Sequence, residues 1–181
     1  MFQIRYGAKT INPSINLVTR IEMEFPERIY TKDEVERARK AIESGHIHRL
    51  RIVGSQDFKQ KVREALKLLK TTGQYNFLRT YIRLIKEING LTQLREAEAA
   101  IWANKYAVED PVDAASMFVQ KAYQMKEYIE GKLYYGGEAE LRSTEKRIEF
   151  LKKLKEKTKK PEIKKRCEEI LKNWRESIYI L

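Results

Sequence analysis

Only one cysteine, Cys167, stands in the 181 residues. No intramolecular disulfide can form, so the disulfide-stapled classes are excluded and a reducing compartment, the cytoplasm, is expected. Four prolines and eight glycines are too few for a collagen-like or mucin-like chain. No apolar run approaches the ~20 residues that cross a bilayer. The opening MFQIRYGAKT lacks the basic head and apolar core of a signal peptide. The expectation is a soluble intracellular protein with no membrane role. Histidine is almost missing as well: His46 and His48 are the whole supply. Neither Gly54-Ser55 nor Gly136-Gly137 is followed by Lys-Ser or Lys-Thr, so no phosphate-cradling loop is present. No G-x-S-x-G turn exists, and the histidines lie far from Cys167 in sequence, so no Ser–His–Asp or Cys–His arrangement can be argued.

What the chain does have is apolar residues and basic charge. Leu, Ile, Val and Phe number 46, enough to bury a core. One domain with a small appended element is the natural reading at this length. Glu (22) far exceeds Asp (4), and Lys (22) exceeds Arg (15), a balance common in heat-adapted proteins. The formal net charge is +11, which raises nucleic-acid binding as a function. Most of that excess is local. Lys146 to Arg166 holds 11 basic and 3 acidic residues, a net +8.

Periodicity sketches the elements. FQIRY and NLVTRIEMEF alternate as strands, with Asn12-Pro13-Ser14 as the turn and Pro26 as the stop. Thr31-Lys-Asp-Glu34 is a capping box, opening a helix that Gly45 closes. HRLRIVG reads as a short strand. Ser55 caps a helix with Phe58, Val62, Ala65, Leu66 and Leu69 on one face, closed by Gly73. Residues 75–104 fit two templates, and periodicity favours helix there. Asp110-Pro111 starts a further helix running to Gly131. A long helix follows from near Glu138, and Pro161 opens the last one. The last helix carries Cys167 in an apolar stripe, the place of an inert buried thiol. The fold class expected is α+β, with a predominantly helical C-terminal half.

Among candidate sites, His46 and His48 share one face if their segment is a strand. That could suit a metal or a phosphate, but solvated or strand-edge histidines beside Arg49 and Arg51 are the ordinary reading. The segment 110–141, DPVDAASMFVQKAYQMKEYIEGKLYYGGEAEL, is more informative. Its A-A-S-x-x-V run, G-K-x-Y-Y-G turn and E-A-E start of the next helix resemble the gluzincin-type zinc peptidases, the minigluzincins in particular. The resemblance covers roughly residues 50–155. It implies a small sheet with a backing helix and an edge strand, strands within 75–104, an active-site-like helix and a following glutamate helix. It also implies that Gln120 and Gln124 stand where the family has its two zinc-binding histidines. Lys121 stands where it has the catalytic glutamate, and Glu140, or else Glu138, at the third ligand.

Amides and an ammonium cannot replace imidazoles and a carboxylate as zinc ligands and base. The resemblance therefore implies a degenerate, non-catalytic relative with no metal and no cofactor. Lys121 is expected to pair with Glu140 or Glu138, with the glutamines bonded around them. The same Gln-Lys-x-x-Gln spacing also suits a plain solvated helix face. The functional expectation is a pseudoenzyme binding a peptide or protein partner by strand addition. The alternative is nucleic-acid binding, with Lys146, Arg147, Lys152, Lys153, Lys159, Lys160, Lys164, Lys165 and Arg166 as phosphate ligands. The expected division is an extension at 1–49, a zincin-like core at 50–155 and a basic helical tail at 156–181.

Overall fold

In the computed structural model, residues 24–178 are described, with side chains as far as Trp174. The two N-terminal strands expected from alternation lie almost wholly outside those residues. The first helix, α1 (Lys32–Glu43), begins with the full capping box. The Thr31 side chain accepts from the Glu34 N–H, and the Glu34 carboxylate accepts from the Thr31 and Tyr30 N–H groups. A short strand β1 (Arg51–Val53) leads into α2 (Gln56–Thr72), capped by Ser55 and ended by Gly73 in the left-handed region at φ +77°. Gly54 joins these two elements. A Cβ there would stand 2.6 Å from Glu87 Cβ, so the chain passes Glu87 at a distance that only glycine allows. Gly54→Ala is expected to cost about 1–3 kcal/mol in urea unfolding, through overpacking against that neighbour.

Residues 75–104 divide between the two sequence expectations. The first seven form a short helix α3 (Tyr75–Tyr81), not a strand. The rest is sheet, not helix: β2 (Leu84–Ile88), β3 (Gln93–Arg95) and β4 (Ala100–Asn104). Aromatics decide the first part. Phe77 and Tyr81 stand one helical turn apart and make an edge-to-face contact at 5.3 Å. Tertiary pairing decides the second. β2 lies between β1 and β4, parallel to both, with Ile85 opposite Ile52 and Ile101. Such an interior strand needs a short apolar run rather than an alternating one.

The sheet order is β1-β2-β4-β3. β3 alone runs antiparallel, and it forms an edge. α4 (Pro111–Ile129) starts at the Asp110 cap, whose carboxylate accepts from the Val112 and Asp113 N–H groups. It is buried along nearly its whole length and packs on α2, α3, α5 and β3. α5 (Gly137–Lys157) and α6 (Pro161–Ile178) follow as a helical hairpin. The fold is α+β, as expected. One buried cluster runs through all three expected segments: Ala38 and Ala41 before residue 50, Phe118, Met125 and Leu151 between, and Cys167, Ile170 and Leu171 after 155. Burial pushes the Cys167 thiol up to about 11, so it stays protonated and inert. No helix among the described residues is long and apolar enough to cross a membrane.

Candidate functional site

Gln120, Lys121 and Gln124 sit on the middle turns of α4. Glu140 and Ser143 face them from the first turns of α5. The glutamines do not lie on a solvated face: Gln120 is 8% exposed and Gln124 3%. Each amide is used at both ends. Gln120 Nε2 donates to Ser143 Oγ at 3.3 Å, and its Oε1 accepts from Arg147 Nη1 at 3.3 Å. Gln124 Nε2 donates to Glu140 Oε1 at 3.3 Å, and its Oε1 accepts from Lys121 Nζ at 3.0 Å. A partner at each end of a buried amide offsets the cost of taking it out of water.

Lys121 therefore does not pair directly with Glu140 or Glu138, contrary to the sequence expectation. Gln124 relays between the ammonium and Glu140. The physical reason is length and position. Gln124 lies one turn along the same helix face and reaches both groups, whereas Glu138 is exposed and makes none of these bonds. Burial lowers the proton affinity of Lys121, with Arg147 acting in the same direction and Glu140 and Glu96 opposing it. The half-buried ammonium keeps a single hydrogen bond, to Gln124.

Arg147 is the residue whose role the sequence concealed. It was grouped with phosphate ligands by charge alone. Its side chain is 12% exposed and points inward. Nη2 meets Asp113 Oδ1 at 2.6 Å, Nε donates to Ser116 Oγ at 2.8 Å, and the guanidinium stacks over Trp174 at 5.1 Å. Two more members of that group are held by carboxylates: Lys146 by Glu149 at 2.9 Å, and Arg166 by Asp110 and Glu169. Lys152, Lys159, Lys160, Lys164 and Lys165 are exposed, and Lys153 is half-buried. The structure thus separates the basic stretch into anchored and free charges.

A buried carboxylate also gives no sign in the sequence. Glu127, 2% exposed, accepts from Arg142 Nε at 2.7 Å, and Arg142 Nη2 donates to the Leu133 carbonyl. This ties the 131–136 turn to α5. Leu133, Tyr135 and Leu141 project from that region with 63%, 60% and 58% exposure. α4 also packs on the edge strand β3. Glu96 follows β3 directly. Tyr134 lies close to it, its hydroxyl pushed up by burial and by the Glu96 carboxylate.

The donor set does not fit zinc. Both glutamines are already bonded, a guanidinium and an ammonium adjoin them, and one carboxylate remains. Among the described residues, no three His, Cys, Asp or Glu side chains gather as a metal-binding group. No family model, no curated protein and no solved structure matches this chain.

The histidines sit elsewhere. His46 Nε2 and His48 Nδ1 are 3.1 Å apart, and Phe25 stacks on the first ring and meets the second edge-on. His48 is 6% exposed, so the expectation of solvated histidines fails for it. The packing of Phe25 over the pair supplies the burial.

Proposed function

We propose that the chain is a non-catalytic peptide-binding module, built like a gluzincin-type peptidase whose zinc chemistry has been replaced by an amide–ammonium network. The observation that carries this reading is the open edge of β3, packed against the helix that bears Lys121. No further backbone hydrogen bond leaves β3 among the described residues. Gln93 and Arg95 are exposed, while Leu94 between them is anchored in the core. An extended peptide adds to such an edge through its main chain, and pockets beside it select side chains. Lys121 has two N–H bonds left to donate to a peptide carbonyl. Leu133, Tyr135 and Leu141 offer exposed apolar contact on the turn after α4 and the first turns of α5.

The reading also draws support from the order of parts: a helix before the sheet, an antiparallel edge strand, an Asp-Pro-started helix, a glycine turn and a glutamate on the next helix. An ammonium at position 121 cannot take a proton from water, and it repels a divalent cation. Peptide hydrolysis is not expected.

The test is selection from a random hexapeptide display pool, followed by affinity measurement on the best sequence. Lys121→Met is expected to weaken binding about tenfold, the loss of one charge-assisted hydrogen bond. The thermal midpoint should change little. Unchanged affinity, or cleavage of the selected peptide, would overturn the reading.

A further inference from the structure

We infer that the bend between α5 and α6 is a binding surface for double-stranded nucleic acid, gripped through its phosphates without sequence preference. The surface is independent of the β3 edge. Six lysines carry it: Lys152, Lys157, Lys159, Lys160, Lys164 and Lys165. All six are exposed, and among the described residues none is in ion-pair contact with a carboxylate. The cations bordering them behave differently. Lys146, Arg147, Lys155 and Arg166 are held by Glu149, Asp113, Glu168 and by Asp110 with Glu169. The fold thus pairs these four cations and leaves the six lysines without a carboxylate partner among the described residues.

Geometry concentrates the remainder. α5 ends at Lys157 and α6 begins at Pro161. At ~1.5 Å per residue, each helical lysine lies within about 8 Å, along its axis, of the bend. Leu151, Leu154 and Cys167 face the core from the same helices, and the lysines occupy exposed positions between them. The exposed acids among them are Glu156 and Glu162, which leaves a local excess of four positive charges.

The neighbourhood selects among polyanions. No large apolar side chain is exposed on α5 beyond Leu141, or on the described part of α6. A membrane-binding face would need such residues to enter the lipid. No aromatic ring stands over or beside these lysines, so the base-stacking platforms of single-strand binders are absent among the described residues. Lysines alone are point charges suited to phosphates. A duplex presents the densest regular array of them, one charge per ~1.7 Å of axis.

The experiment is fluorescence anisotropy with a labelled 20-base-pair DNA duplex between 50 and 200 mM NaCl. Four to six phosphate contacts predict a slope of log K against log salt of about −3.5 to −5.5. Lys159→Glu with Lys164→Glu should weaken binding at least ~tenfold at 50 mM and flatten the slope by about 2. Lys32→Glu with Lys67→Glu changes net charge equally, on exposed positions of α1 and α2, and should leave affinity within about threefold. Lys159→Gln with Lys164→Gln guards against misfolding, and should fall between wild type and the glutamate pair. Absence of binding at 50 mM overturns the inference. So does equal loss in the control pair, or tighter binding to phosphatidylserine vesicles, to poly-glutamate or to a single strand.

Discussion

Acidification from pH 6.5 towards pH 4 is expected to destabilise the folded chain steeply, and His48 is the main cause. Burial keeps its ring neutral by pushing the pKa down to about 3, against 6.5 for an unburied histidine, with His46, Arg83 and Arg79 repelling the proton further. Phe25 closes over the ring, and the Arg79 guanidinium donates to the His48 carbonyl at 2.8 Å. The folded state therefore binds this proton less readily than the unfolded state. Its contribution is fully present above pH 6.5 and is lost as pH falls from there towards 3. The slope is about 1.4 kcal/mol per pH unit, so roughly 3 kcal/mol disappears by pH 4. His46, also held neutral by burial, adds to the loss in the upper part of that window. Urea unfolding at half-unit pH intervals measures it. His48→Phe keeps a ring against Phe25 and cannot take a proton. Its stability should fall less steeply by about one proton's worth over the same interval. Parallel profiles for the two proteins would contradict the account.

The second large effect belongs to Arg147. Arg147→Ala is expected to cost about 2–4 kcal/mol. The guanidinium serves Asp113, Ser116 and the Gln120 amide, and it covers Trp174. Removing it leaves buried Gln120 and Ser116 short of a partner and one carboxylate unpaired. Asp113 is 42% exposed and recovers part of its hydration, which keeps the cost below that of a fully buried pair. Arg147→Lys restores charge but not the three-way geometry, and should recover less than half of the loss. Denaturant unfolding at neutral pH checks both variants. If Arg147→Ala costs no more than Lys152→Ala, an exposed neighbour, the anchoring role is refuted.

These two residues also mark where sequence stops being a sufficient guide. Caps are local chemistry, so Thr31, Ser55 and Asp110-Pro111 located three helix starts directly. Lys121 and the flanking glutamines stand out only through the resemblance of their helix to the peptidase motif, since their spacing alone suits a solvated helix face. Arg147 could not. Its inward direction depends on how α5 packs against α4, and in sequence it sits in a run of solvated lysines. His48 gave no signal either, since the ring is buried by Phe25, twenty-three residues earlier in the chain. The stretch 75–104 was ambiguous for a related reason. Tyr75–Tyr81 alternates like a strand, yet the contacts that decide it are one helical turn apart. Ile85 and Ile101 become strand residues only through pairing with partners far along the chain.

The most direct test of a metal-independent peptide site is a titration of ¹⁵N-labelled protein with the selected hexapeptide, in EDTA and again with added zinc. Amide shifts should concentrate at Gln93–Arg95 and around Lys121, with the same affinity in both solutions and intact peptide by mass spectrometry. Binding or cleavage that appears only with zinc, or shifts that bypass β3, would contradict the account.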